Sequence, residues 1–131
     1  MPDTPQAKIS VAIPSYNRKV ILRKTIEGYL HQTVREEILE ILIVDDGSTD
    51  GTAEAVTELG GTSPIPIRCL RQEKKGQAAG RNYGIREARG ELILFGDDDV
   101  VPAPNMVGVH LAWHKAHPEP SFAVMGRVPW A

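Results

Sequence analysis

A single cysteine, Cys69, stands in 131 residues, which excludes an internal disulfide framework. It lies in the mostly apolar run 65–70, so a buried free thiol is expected rather than a reactive one. An excess of either charge is lacking too. A net charge of -2 gives no electrostatic case for nucleic acid or an anionic membrane as a partner. No apolar stretch approaches the roughly 18 residues that cross a bilayer. The opening Met1-Pro2-Asp3-Thr4-Pro5 lacks the basic and apolar regions of a secretion signal. A cytoplasmic domain is expected, with membrane association through segments outside this sequence left open. A glycine-rich phosphate loop is missing too. Neither Gly-x-Gly-x-x-Gly nor Gly-x-x-x-x-Gly-Lys-Ser/Thr follows the first apolar run, which weakens dinucleotide and P-loop readings. Phosphate would have to be held by a metal and by basic side chains.

What is present suits one soluble domain: 41% hydrophobic and 24% charged residues over a length that can bury a core. Short β-branched runs alternate with helical patterns. Strands are expected over 8–13, stopped by Pro14; over 40–44, stopped by Asp45-Asp46-Gly47; over 65–70, near a sheet edge because Pro64 and Pro66 lie at its start; and over 91–95. A fifth is expected to begin at 122–125. Helices are expected over 19–31, where Leu22, Ile26, Tyr29 and Leu30 share a face, and over 51–59, capped by Ser48, Thr49 or Asp50. Two more are expected over 76–89 and over 104–117, the last entered by proline. This alternation implies an α/β fold with a largely parallel sheet flanked by helices. Residues 1–7 read as a tail and 8–131 as one domain.

In such sheets ligands bind beyond the carboxyl ends of the strands. The chemically suggestive residues fall there: Pro14-Ser15-Tyr16-Asn17-Arg18, Asp45-Asp46-Gly47-Ser48, Gln72-Glu73-Lys74-Lys75-Gly76 and Asp97-Asp98-Asp99. Three adjacent acids at the end of the apolar run 92–96 repel one another unless water or a cation relieves them. A hard divalent ion with oxygen ligands is the obvious remedy. Each motif also has a plainer reading. Asp46-x-Ser48-x-Asp50-Gly51 resembles the start of a calcium loop, but its twelfth position is Thr57 and a strand precedes it; a capped strand-to-helix turn explains it. Gly76, Gly80 and Gly84 recur every four residues and suit close helix–sheet packing. That packing leaves Lys75, Arg81 and Asn82 unexplained, and a guanidinium near the helix start can clamp a diphosphate. His110, His114 and His117 lie at helical spacing without a clear further zinc ligand. Tyr16 is either a core residue or a rim platform for a base, and its place beyond Pro14 favours the rim.

Together, 13–18 (Ile-Pro-Ser-Tyr-Asn-Arg), 44–52 (Val-Asp-Asp-Gly-Ser-Thr-Asp-Gly-Thr), 75–82 (Lys-Gly-Gln-Ala-Ala-Gly-Arg-Asn) and 95–99 (Phe-Gly-Asp-Asp-Asp) resemble the four N-terminal signatures of the family 2 glycosyltransferases. The order and spacing fit from about 8 to 104. The resemblance implies a GT-A fold and inverting transfer of a sugar from a nucleoside diphosphate donor, usually a UDP-sugar, with Mg²⁺ or Mn²⁺. It places Pro14, Ser15 and Tyr16 at the base and Arg18 at the rim. Asp46 would meet the base or ribose, Lys75 the base, and Arg81 the base or diphosphate. Asp97 would face the ribose or the metal, and Asp99 would be the main metal ligand. Asp98 fits either register of the Asp-x-Asp pattern. A cation bridging two phosphates would stabilise the leaving group, while the acceptor hydroxyl needs a base on the opposite face of the sugar. The family's base lies well after the Asp-x-Asp region. No candidate is found here; Glu119, between two prolines, is a poor one. The chain therefore reads as the donor-binding part of a truncated sheet, its acceptor (saccharide, lipid or protein) unassigned. The alternatives are a non-catalytic nucleotide-binding or self-associating module, pairing through an open sheet edge, and a sugar-nucleotide pyrophosphorylase, which would want a basic Gly-rich loop in place of 14–18.

Overall fold

The computed structural model describes residues 9–127; the tail 1–7, Lys8 at the start of the first expected strand, and 128–131 lie outside them. Four strands, β1 (Ile9–Ser15), β2 (Ile38–Asp45), β3 (Ile67–Arg71) and β4 (Leu92–Phe95), form one sheet of order β3-β2-β1-β4. Every pairing is parallel: Val11 lies opposite Ile41 and Leu94, and Ile43 opposite Cys69. Each crossover runs through a helix: α1 (Lys19–Leu30), then α2 (Thr52–Gly60), then α3 (Gln77–Glu87), with α4 (Met106–Ala116) following β4. Parallel strands covered on both faces read as continuous apolar runs, and β1 is buried at every position.

Alternate residues of the central strands serve two cores. Val11, Ile13, Ile41 and Ile43 join Leu22, Ile26 and Tyr29 of α1, Val56 of α2, and Val107 and Leu111 of α4. Leu42 and Val44 face the other way, with Leu70 and Tyr83, beneath α3. There Gly84 and Gly80 let the α3 backbone approach the sheet closely. A β-carbon on Gly84 would sit 3.1 Å from that of Ala12, and one on Gly80 3.3 Å from that of Pro14. Packing thus accounts for two of the three spaced glycines. Gly76 is different: it precedes the helix at φ 93°.

The expected edge position of β3 is found. The fifth strand is not, since 122–127 form no regular structure. Phe122 instead stacks on His117, with ring centroids 4.4 Å apart, and meets His114 edge-on at 5.7 Å. Its ring is thereby spent on the end of α4 rather than on the sheet. The last helix begins at Met106 rather than Pro104 because Gln32 fixes its start. The Gln32 amide oxygen accepts from the Val107 N–H at 2.9 Å, and its NH₂ donates to the Ala103 carbonyl at 2.7 Å. Cys69 is a free, half-buried thiol, pushed up to about 11 by burial and then by the Asp45 charge. Among the described residues no helix is long and apolar enough to cross a membrane.

Candidate functional site

The site is assembled where the strands end. After β1 the chain turns through Asn17, at φ 50°, a left-handed conformation that asparagine tolerates better than most residues. Its backbone N–H donates to the Ser48 hydroxyl at 2.9 Å, and its side-chain oxygen accepts from the Thr49 N–H at 2.8 Å. The loops after β1 and β2 are thereby joined. Asp50 completes the joint. One carboxylate oxygen accepts from the Lys19 N–H at the start of α1, and the other from the Thr52 N–H at the start of α2. One residue caps two helices; Ser48 and Thr49 do not fill that role.

Asp46 binds the third loop. Its Oδ1 accepts from the Lys75 N–H at 2.7 Å and the Gln72 amide at 2.9 Å, and its Oδ2 from the Gly76 N–H at 3.1 Å. Burial alone would raise this carboxyl. The hydrogen bonds from Lys75, Gln72 and Gly76, with the nearby Lys74 charge, outweigh burial and hold it below the usual range. Of about four acceptor positions on a carboxylate, three are used within the protein. The positive φ of Gly76 turns the chain from this contact into α3. Lys74, not Lys75, lies over the Tyr16 ring, its ammonium 4.5 Å from the centroid, within cation–π range. The Lys75 side chain makes no ion pair among the described residues.

The three acids after β4 have three different surroundings. The Asp98 side chain is 11% exposed, against 57% for Asp97 and 50% for Asp99. Asp98 accepts from the Ser15 hydroxyl at 2.9 Å and from Arg18 Nη1 at 3.3 Å, while its backbone carbonyl accepts from the Thr25 hydroxyl at 2.9 Å. Burial is the main cause that pushes the Asp98 carboxyl up, against Ser15 and Arg18. Asp99 accepts from Arg18 Nη1 at 2.8 Å, and Asp97 pairs with Arg81 at 3.6 Å. Behind them, burial and then the Asp97 charge push Tyr29 up to about 12, so it stays a neutral phenol.

Arg18, Asp97, Asp98, Asp99, Arg81, Ser15, Asp46 and the Lys75 backbone therefore meet on one rim. Pro14 and Ser15 are buried under it, and Tyr16 is exposed beside it. Asn17, Thr25, Ser48, Gln72 and Lys74 escaped the sequence reading. Asn17, Gln72 and Lys74 carried a signal, since they lay inside the rim segments without a stated role, and Ser48 was read there only as a candidate helix cap.

Among the described residues no three His, Cys, Asp or Glu side chains converge as a complete metal cage, the three histidines of 110–117 included. Two half-exposed carboxylates flanking a buried one do fit an ion such as Mg²⁺, which takes one or two protein carboxylates and fills its shell with water and substrate phosphates. Asp99 and Asp97 are the side chains that would hold it.

The chain resembles proteins of known kind over nearly all its length. It is 34% identical over 108 residues to an uncharacterized glycosyltransferase, YfnE, of Bacillus subtilis, covering 82% of this chain and 27% of that protein. Validoxylamine A glucosyltransferase of Streptomyces hygroscopicus is 38% identical over 120 residues, covering 90% of this chain and 26% of its own. Among solved structures, the mannosyltransferase PcManGT of Pyrobaculum calidifontis, in complex with GDP-Man and Mn²⁺, superposes with a TM-score of 0.78 at 27% identity, over 90% of this chain and 34% of that one. S. aureus TarS 1–349 with UDP-GlcNAc shares the fold, with a TM-score of 0.75 at 23% identity, over 91% of this chain and 37% of that one. The chain thus spans about a quarter to a third of the relatives it matches. The model of the Glycosyl transferase family 2 matches residues 10–128, and the parallel sheet with its helices has the GT-A form of these neighbours; the chain belongs to glycosyl transferase family 2.

Proposed function

We propose that this chain is the donor-binding part of a metal-dependent, inverting glycosyltransferase and takes a nucleoside diphosphate sugar, a UDP-sugar first among them. One observation carries the reading. The loops after all four strands are tied into a single rim by Asn17–Ser48, Asp46–Lys75, Ser15–Asp98 and Arg81–Asp97. Rigid positioning of several polar groups from separate loops is what a small-ligand site requires. It is also the usual position for ligands on a parallel sheet.

Tyr16 offers an aromatic face to the base once Lys74 moves aside. Asp46 keeps an acceptor position for the base or ribose and fixes Lys75 and Gly76 at the start of α3. Arg81 and Arg18 offer guanidinium groups to the diphosphate, whose charge is the chief thing to be bound. A cation held by Asp99 and Asp97 would supply Lewis-acid stabilisation of the departing diphosphate. Binding of GDP-Man and Mn²⁺ by PcManGT supports this class of donor and ion. Acceptor activation needs a base. Glu119 is a poor candidate for it, lying exposed in the turn after α4, where its carbonyl accepts from the Phe122 N–H. Donor binding without robust transfer is therefore expected of the 131-residue chain.

Calorimetry with UDP, GDP and dTDP, each with and without Mn²⁺, tests the proposal. Binding of at least one, strengthened by Mn²⁺ and weakened in Asp99→Asn, is expected. No binding of any of the three overturns the donor-site reading. Rapid sugar transfer by this chain would overturn the separation of binding from catalysis.

A further inference from the structure

We propose that Arg18 is a resident counter-ion for Asp99, so that a divalent cation binds by exchange with its guanidinium rather than at an open carboxylate. This exchange rests on the reading above that Asp99 is a ligand of the cation. The same nitrogen, Nη1, lies 2.8 Å from Asp99 Oδ2 and 3.3 Å from Asp98 Oδ1. One positive group thus bridges the buried and an exposed member of the triplet. The two contacts differ in kind. Asp98 is anchored from behind by Ser15 and through its carbonyl by Thr25, whereas among the described residues Asp99 has Arg18 as its only side-chain partner. Arg18 is itself half exposed, sits just before α1, and has no other ion-pair partner among the described residues. It can therefore swing away from Asp99 without disturbing the core.

Two consequences follow from charge alone. A divalent ion arriving at Asp99 meets a cation already there and must displace it, so Arg18 weakens binding of the bare ion. Once displaced, Arg18 has lost its shorter ion pair and keeps only the longer contact to Asp98, at the place where a ligand carrying two phosphates would bring negative charge. A metal–diphosphate ligand satisfies both groups together, while a bare metal satisfies only Asp99. Arg18 thereby selects for the loaded ligand over the free ion.

Mn²⁺ electron paramagnetic resonance titration, without nucleotide, reads this directly on the full chain. In Arg18→Gln, Mn²⁺ affinity is expected to rise roughly two- to five-fold, the size of a partly exposed ion pair, and the rise is expected to shrink at high salt. Arg18→Lys keeps the charge and should stay near wild type. Adding Asp99→Asn to Arg18→Gln should abolish the gain. Unchanged or weaker Mn²⁺ binding in Arg18→Gln overturns the exchange, as does a gain that survives Asp99→Asn or an absence of Mn²⁺ binding to either protein. The nucleotide calorimetry keeps the two ideas apart. If nucleoside diphosphate binds with Mn²⁺ but Arg18→Gln leaves the ion's affinity unchanged, the counter-ion role fails and the donor site stands. If no nucleotide binds yet Arg18→Gln tightens Mn²⁺, the donor site fails and the exchange at Asp99 stands.

Discussion

Asp97, Asp98 and Asp99 are chemically identical neighbours, yet the fold gives each a different role. The triplet lies beyond β4, where the chain leaves the strand and turns; there the Asp98 side chain meets Ser15 and its carbonyl meets Thr25, while its neighbours face outward with Arg81 and Arg18. Truncating Asp98 would leave the buried Ser15 hydroxyl without its acceptor. Asp98→Ala is expected to cost about 1–3 kcal/mol, the penalty for breaking a buried hydrogen bond. Asp97→Asn and Asp99→Asn should each stay within about 0.5 kcal/mol of wild type, as exposed substitutions usually do. Urea unfolding of the three variants checks this. Equal effects would mean that the triplet acts as one cluster. In the sequence the triplet showed that charge must be relieved at this strand end. It could not show that an arginine 80 positions away supplies the relief at Asp98, because that pairing depends on β1 and β4 being neighbours.

At the scale of elements, the strands and helices were legible because β-branched runs and helical spacing are local signals. What failed was local pattern overruled by distant partners. Phe122 went to His117 instead of a sheet, and Gln32 reset the start of α4. The glycine face of α3 was legible as packing, and it bears a sharp test. Since a β-carbon on Gly84 already meets that of Ala12 at 3.1 Å, Gly84→Val should lift α3 from β1 and destabilise by about 1–3 kcal/mol through overpacking, as seen in the urea midpoint. Stability within about 0.5 kcal/mol of wild type would show that α3 has room to shift.

Wholly hidden from the sequence was the clasp at the opposite end of the strands. There the buried Glu40 accepts from the Ser10 hydroxyl and the Arg89 N–H, both at 2.7 Å, and from Arg68 at 3.0 Å. Burial raises this carboxyl, but those hydrogen bonds together with the Arg68 charge leave it below the ordinary value of 4.5. A lowered acid contributes stability that is complete above 4.5 and lost as pH falls through the folded value. Asp98, raised by burial, acts in the opposite sense, its contribution fading as pH rises through its folded value. Asp46 and Asp50, both held below the usual range by hydrogen bonds, side with Glu40, so unfolding midpoints between about pH 6 and pH 3 should fall with acid. The fall should be shallower in Glu40→Gln and steeper in Asp98→Asn. An unchanged slope in Glu40→Gln would place the acid sensitivity elsewhere.

For the molecule as a whole, the sheet's two flanks are not equivalent. The β3 flank closes a sheet that also packs on α2, with Pro66 at its entry limiting further pairing. The β4 flank has no strand beside it among the described residues, and apolar surface lies there and on α4: Phe95 is 44% exposed and Trp113 51%. An uncovered strand edge offers unpaired N–H and C=O groups to another chain. Yet this edge is only four residues long and runs directly into Gly96 and three acids, features that blunt pairing. The expected outcome is weak self-association of the 131-residue chain, seen in sedimentation velocity as a coefficient that rises with concentration. Phe95→Lys, placed on an exposed side chain so that the fold is kept, should restore a concentration-independent monomer. A monomer at every concentration would mean that length and charge already protect the edge. Association undiminished by Phe95→Lys would move the contact away from β4, to a surface such as the α4 face around Trp113, where a Trp113→Lys variant would then be the one to dissociate it.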